Sequence, residues 1–510
     1  MISQIRSGLL YHNSSDSTAL SVVWGKVRWI GMQFHSWIFL CVFLQVVLGM
    51  YFILQRLPDK KYASMFLIAA NFVFYGYANI SYFFYFAAFI LLNYAIAVRL
   101  IRLRQKWLLA VGLTLDIGAL AVLKYCNFFL QTLNRAFGTD VMLMHLFIPL
   151  GLSFFTFQFI ALLYDCYKGT IQKLGFLDYV VFASFFPKII QGPIMVFQDF
   201  EQQYQREENR HFSWDDTAKG FYALTIGLGK KLLIADVLAA FVNPGFAEKY
   251  LTYNSAMSLL LMLAYTLQIY YDFSAYTDMA RGISLMFRIS LPRNFNSPYQ
   301  AHSVNDFWSR WHMSLTNFFT HYLYIPLGGN RKGEWRTYLN VMIVFAVSGL
   351  WHGADYTFVV WGLLHGLASV IEKKTKFPEK CSPVMQWLYT FTFVNVAWLF
   401  FRSETIGQAL QIIRNILRCD FGGVDLSDLS QLILPEINLL LEQLQIDALF
   451  RILPIAFLVL VFLAVLQVRN TDIRMEQFRP TIGNTLMTIV VLTWSILSFG
   501  GKVTFLYEMF

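Results

Sequence analysis

Five cysteines in 510 residues is few, and they are scattered at Cys41, Cys126, Cys166, Cys381 and Cys419. No CxxC pair and no Cys/His ligand spacing joins them, so neither a disulfide framework nor a zinc site is supported. Charge is also scarce. Only 14% of residues are Asp, Glu, Lys or Arg, where a soluble chain carries about 25%. That excludes an ordinary soluble domain. Period-2 segments of about ten residues are missing, which excludes a membrane barrel. No basic stripe interleaved with aromatics lies in a polar segment, so the net charge of +9 does not signal nucleic acid. Lys and Arg in cytoplasmic loops account for it better. Neither an internal repeat nor a charged intramembrane pair is visible, and both absences disfavour a transporter or channel.

What is present is apolar: 57% of the chain is hydrophobic and 18% aromatic. Runs near 37–55, 63–79, 82–98 and 107–128 are each long enough to cross a bilayer of roughly 30 Å. Less tidy segments follow near 146–164, 177–190, 218–242 and 256–276, several broken by Gly and Pro. Further runs lie near 338–351, 355–371, 384–401, 450–467 and 485–500. The pattern predicts an all-α polytopic membrane protein with about 11–13 membrane segments, some re-entrant. The loops Arg56–Lys61 and Arg99–Lys106 are both basic, which places them in the cytoplasm and the start of the first span outside. Residues 1–31 are polar and Ser-rich. They read as a disordered extension or an over-called start, with 32–510 as one transmembrane domain. Within it, Thr405–Leu417 and Leu429–Phe450 have helical apolar spacing and are candidate surface helices of the polar interval 402–449.

Nine histidines are present, and five of them, His302, His312, His321, His352 and His365, fall in one stretch. His12, His35, His145 and His211 lie apart from it. A neutral imidazole is a metal ligand or a proton acceptor. HExxH is missing and only Asp306 offers a carboxylate nearby, so no metal is expected. GxSxG is missing too, Ser348 and Gly349 being only a fragment of it. What remains is a general base or a core histidine. His352 follows the apolar run Val341–Leu350, and an ionisable group at that depth points to function.

The order of several short blocks narrows this further. Leu152-Ser-Phe-Phe-Thr-Phe-Gln158 is followed by Asp165-Cys-Tyr-Lys-Gly169, Phe186-Pro187 and Gln191-Gly-Pro-Ile194. Gly229-Lys-Lys-Leu-Leu-Ile-Ala-Asp236 and Tyr271-Asp-Phe-Ser-Ala-Tyr-Thr-Asp278 come next. Then come Asn294-Phe-Asn-Ser-Pro-Tyr299, Phe307-Trp-Ser-Arg-Trp-His312, Tyr324-Ile-Pro-Leu-Gly-Gly-Asn-Arg331 and Gly349-Leu-Trp-His-Gly-Ala354. Phe400-Phe-Arg402 and Phe505–Phe510 close the series. In this order the chain resembles the membrane-bound O-acyltransferase (MBOAT) family over about residues 32–510, specifically its bacterial polysaccharide O-acetyltransferase branch.

The resemblance implies the MBOAT fold and a catalytic His352, with His312 at the second polar position. Asn305, Arg310, Asp272 and Trp351 are supporting candidates. Where the family has Arg-Asp before its YLYIP block, this chain has Thr320-His321, leaving His321 as a substitute or a neighbour. The implied chemistry needs no bound cofactor. Acetyl-CoA is the expected donor, and a hydroxyl of an exported polysaccharide or a periplasmic SGNH-type partner the acceptor, in a multi-pass protein of the bacterial inner membrane. D-alanyl or peptidoglycan acyl transfer is the alternative within the enzyme class. Arg331, Lys332 and Arg336 are candidate contacts to CoA phosphates or a positive-inside loop, and Lys230-Lys231 allow the same two readings.

Overall fold

The computed structural model describes residues 32–499 other than 78, 145, 147, 445, 446 and 469. The extension 1–31 with His12, the residue His145 and the closing block 505–510 lie outside the described residues. Among those described, the regular structure is helical and no strand occurs.

A π-helical turn, Ile38–Phe43, opens into α1 (Leu44–Gln55). Then come α2 (Lys61–Gly76), α3 (Ile80–Leu103) and α4 (Lys106–Leu120), which runs through a second π turn, Ala121–Tyr125, into α5 (Cys126–Phe137). These elements face outward, in keeping with a lipid environment. In the long stretch Lys106–Phe137 only 22% of the most apolar window is buried inside the protein. Among the described residues, four helical stretches are long and apolar enough to cross a membrane: Ile38–Gln55, Ile80–Leu103, Lys106–Phe137 and Pro383–Arg402.

After α6 (Leu152–Lys168) the apolar run 177–190 is not one helix. It splits at Phe185 into α7 (Phe176–Ser184) and the four-residue α8 (Phe186–Ile189), with Pro187 at the start of the second piece. Neither piece is long enough to cross a bilayer. A broken backbone at such depth must find partners inside the protein. Asn71 supplies them: its Nδ2 donates to Ser184 Oγ at 3.1 Å, and its Oδ1 accepts from Phe186 N at 3.2 Å.

The centre of the molecule is built from α9 (Phe197–Tyr204), α10 (Trp214–Gly229), α11 (Asp236–Ala247) and α12 (Ser255–Met286). A third π turn, Lys230–Ala235, joins α10 to α11. Every residue of α12 from Ala264 to Ser284 is buried. Lipid offers no hydrophobic drive between helices, so close packing must hold α12 in place. At its crossing with α10, a Cβ on Gly220 would sit 2.4 Å from the Gly282 carbonyl oxygen, and one on Gly282 would sit 2.4 Å from that of Gly220.

Next come α13 (Val304–Arg310), α14 (Met313–Phe319) and a fourth π turn, Thr320–Tyr324. A hairpin of α15 (Glu334–His352) and α16 (Tyr356–Thr375) then leads to α17 (Pro383–Arg402). In the polar interval, α18 (Ile406–Leu417) starts at its Thr405 cap, where Oγ1 accepts from Gln408 N at 3.1 Å. One face of α18 docks on the ends of α11 and α12 through Gln408, Ala409, Ile412 and Asn415. The expected helix 429–450 is divided instead. The short α19 (Leu426–Leu429) is followed by α20 (Pro435–Leu444), which Pro435 opens, and then α21 (Asp447–Gln467). The chain continues through α22 (Thr471–Glu476) and α23 (Ile482–Leu497).

Contacts gather the basic loops at one end. Lys60 pairs with Glu207, Arg210 donates to the Gln55 and Leu57 carbonyls, and Arg288 pairs with Asp216. The Arg104 guanidinium lies against Gly169 at the end of α6, and Lys373 lies over the Tyr324 ring. The acidic segment 420–428 lies at the opposite end of α12, where Ser255 N donates to the Asp420 carbonyl.

Candidate active site

His312 sits in the abrupt turn between α13 and α14, with φ +43°, a left-handed conformation uncommon for a residue other than glycine. Such a backbone persists only where its surroundings fix it, and three of the sequence blocks do so. The Asn294 carbonyl accepts from Met313 N at 2.9 Å, and Asn294 Oδ1 accepts from Ser314 Oγ at 2.6 Å. Ser314 Oγ in turn accepts from Ile194 N at 3.0 Å, tying down the Gln191–Ile194 block. The His312 ring is fully buried edge-on to Phe273 of α12, at 4.8 Å between ring centres.

His352 is the last residue of α15, and the helix reaches it with its final carbonyls in need of donors. The π turn 121–125 provides them. Lys124 Nζ donates to the Trp351 and His352 carbonyls at 2.7 and 3.2 Å, and Tyr125 OH donates to that of Leu350 at 2.6 Å. A cation at a helix C-terminus also suits the helix dipole. Lys124 lies inside the expected apolar span 107–128, and that isolation is the signal that could have found it. The α15–α16 crossing is tight: a Cβ on Gly349 would stand 2.4 Å from the Phe358 carbonyl oxygen, and one on Gly362 2.4 Å from that of Phe345.

Trp351 joins the two histidines. Its ring centre lies 4.8 Å from that of His352 and 6.3 Å from that of His312. Behind it, Phe157 of α6 stacks at 5.1 Å, and Trp351 Nε1 donates to the Ser153 carbonyl at 3.3 Å. His352 also meets Trp361 at 5.0 Å and Phe401 at 5.2 Å. His312, Lys124 and His365 are all within electrostatic reach of His352. The structure thus brings His352, His312 and Trp351 together in a dry, aromatic setting, where an imidazole can exchange a proton with a bound hydroxyl.

The other candidates are engaged elsewhere. Asn305 Nδ2 donates to the Glu372 carboxylate at 2.7 Å, and the same carboxylate accepts from Val304 N and Asn305 N at 2.7 and 3.0 Å, capping α13. Arg310 pairs with Asp306 one turn back at 2.7 Å. His321 is exposed, with Nδ1 2.8 Å from the Asn317 carbonyl. Arg331 and Lys332 are exposed before α15, and Arg336 lies in its first turn. His352 lies sixteen positions beyond Arg336, about 24 Å of helix.

Two expectations are corrected. Charged pairs do occur in the buried interior: Lys231 pairs with Asp272 at 2.7 Å and Asp236 at 2.9 Å, Lys230 pairs with Asp278 at 2.7 Å, and Arg281 pairs with Asp472. Lys230 and Lys231 therefore belong neither to a loop nor to a surface phosphate site. They lie within the α10–α11 rod, where burying a cation demands an anion beside it. Asp272 is one of those anions.

A model of the membrane-bound O-acyltransferase family matches residues 71–403. The peptidoglycan O-acetyltransferase of Helicobacter pylori is 36% identical over an alignment covering 78% of this chain and 82% of that protein. The probable alginate O-acetylase of Pseudomonas aeruginosa is also 36% identical, covering 78% of this chain and 77% of its own length. The teichoic acid D-alanyltransferase of Bacillus subtilis is 28% identical over 47% of this chain and 62% of that protein. With the ordered blocks converging on His312 and His352, the chain belongs to the membrane-bound O-acyltransferase family and is an O-acyltransferase.

Proposed function

We propose that this enzyme takes an acetyl group from cytoplasmic acetyl-CoA and delivers it across the inner membrane to a hydroxyl of an exported polysaccharide, directly or through a periplasmic SGNH-type partner. The observation that carries this reading is the separation of the two ends of α15. The basic residues Arg331, Lys332 and Arg336 stand at the end shared with the basic loops, and His352 stands about 24 Å further along. The positive-inside rule assigns the basic end to the cytoplasm and the start of the first span to the periplasm. CoA phosphates then meet the guanidinium and ammonium groups, while the thioester reaches inward toward the histidines.

In the reaction, His352 removes the proton of the acceptor hydroxyl as its oxygen bonds to the acyl carbon. The C–S bond breaks, and the proton passes to the departing CoA sulfur. No proton is gained or lost overall. The named relatives that acetylate peptidoglycan or alginate support an acetyl group and a glycan acceptor. D-alanyl transfer is the second reading, favoured by the teichoic acid D-alanyltransferase similarity.

Sealed vesicles of both orientations test the direction. Inside-out vesicles should consume added radiolabelled acetyl-CoA and right-side-out vesicles should not, because CoA does not cross the bilayer. Equal consumption by both, in vesicles shown to be sealed, would contradict the proposal. Consumption of an activated D-alanyl donor in place of acetyl-CoA would select the second reading.

A further inference from the structure

Buried indole N–H groups in proteins normally find an acceptor, and several indoles around this site have one. Trp308 Nε1 donates to His365 Nδ1 at 3.1 Å, Trp351 Nε1 to the Ser153 carbonyl at 3.3 Å, and Trp387 Nε1 to the Tyr299 carbonyl at 2.9 Å. Trp361 and Trp398 are exceptions. Both are at most 1% exposed, yet neither Nε1 has a hydrogen-bond partner among the described residues. Leaving such a donor unsatisfied costs about 1–3 kcal/mol.

His365 adds a third such donor, and chemistry fixes its tautomer. An indole N–H only donates, so Nδ1 of His365, which accepts from Trp308, carries no proton. The neutral ring must then hold its proton on Nε2. That nitrogen is buried and also without a partner among the described residues. Phe307 and Phe345 flank the ring at 6.3 and 6.2 Å between ring centres.

These donors are neighbours of one another and of His352. Trp361 lies 5.0 Å from His352 and 5.0 Å from His365, and it stacks on Trp398 at 5.8 Å. Such a wall of donors suits an acceptor-only group. We infer that Trp361 Nε1–H and His365 Nε2–H receive the acyl carbonyl oxygen and stabilise the negative charge that develops on it, with Trp398 as a flanking donor. This rests on the acyl-transfer reading above, and it assigns the oxyanion role to α16 and α17. As the hydroxyl oxygen adds to the acyl carbon, the carbonyl π electrons move onto this oxygen. They return as the C–S bond breaks. Preorganised donors in a dry site are effective for that charge.

The test uses the full-length enzyme in nanodiscs with acetyl-CoA. Trp361→Phe keeps the ring and removes the donor. Loss of one oxyanion donor costs about 10²–10³ in kcat, so a loss of that order is expected, with KM for acetyl-CoA little changed. Trp398→Phe should cost less. A second readout avoids dependence on turnover. Infrared spectra are taken of acetyl-CoA labelled with carbon-13 at the carbonyl, bound to His352→Ala. The carbonyl band should lie at lower wavenumber than in the His352→Ala, Trp361→Phe double variant. Unchanged kcat in Trp361→Phe, or identical bands in the two variants, would overturn the inference alone. Full turnover by His352→Ala would overturn the acyl-transfer mechanism beneath it.

Discussion

Two buried polar regions lie on either side of α12, and they are built in opposite ways. On the side facing α10 and the 230–235 turn, each buried charge has an opposite charge beside it: Lys231 with Asp272 and Asp236, Lys230 with Asp278, Arg281 with Asp472. On the side facing α13 to α17, the polar groups around His352 are imidazoles and indoles, with the Glu372 carboxylate set apart as the cap of α13. His312 has no hydrogen-bond partner on either ring nitrogen among the described residues, and Trp361, Trp398 and His365 Nε2 share that state. A paired charge is already committed to its partner and contributes to the fold. An unsatisfied donor or acceptor in a dry pocket is free to act on a substrate. The first region should therefore govern stability and the second should govern turnover.

That division can be broken experimentally. The largest effect is expected from His352→Ala, which should lower kcat by about 10²–10⁴, the range of general-base catalysis, while its thermal unfolding in detergent stays close to wild type. Lys231→Met should do the reverse. Removing one member of a buried ion pair costs about 3–5 kcal/mol, which should appear as a much lower melting temperature. Lys124→Met stands between the regions, since its ammonium belongs to the scaffold but holds the end of the His352 helix. Hydrogen bonds from a charged group are worth about 1.5–3 kcal/mol, so a moderate fall in both kcat and stability is expected, with Lys124→Arg restoring most of the kcat. The smallest effect should come from Arg331→Gln with Lys332→Gln. Loss of these exposed charges should raise KM for acetyl-CoA a few-fold, more so at low salt, and leave kcat alone. A large kcat loss in that double variant would erase the distinction between the two ends of α15.

Much of the second region was legible in the sequence. The histidine-rich stretch, the polar break after Val341–Leu350 and the ordered blocks all lead to His352 and His312. The outward-facing helices were legible too, because long apolar runs define them directly. The first region was not. Lys231 and Asp272 are 41 residues apart, and nothing in either local pattern announces the other. Locally, Lys230-Lys231 read as a phosphate contact or a positive-inside loop and Asp272 as a supporting site residue, while the structure pairs Lys231 with Asp272. Asn305 is a similar case: it reads locally as a supporting candidate, and its amide meets Glu372, 67 residues further on. Lys124 is hard to read from the sequence because its apolar neighbours outweigh one lysine in a span. The π turns at 121–125, 230–235 and 320–324 carry Lys124, Lys230-Lys231 and His321. Such turns recur at functional sites, but no change of sequence period marks them here.

The most direct test of the account is acetyl transfer from radiolabelled acetyl-CoA by the purified protein in nanodiscs, with His352→Ala, His312→Ala and Asp272→Asn measured beside it and each variant's folded fraction determined. Turnover that vanishes in His352→Ala at normal folded fraction, and that in Asp272→Asn falls only in proportion to folded protein, is the predicted result. Wild-type turnover per folded molecule in His352→Ala would contradict it.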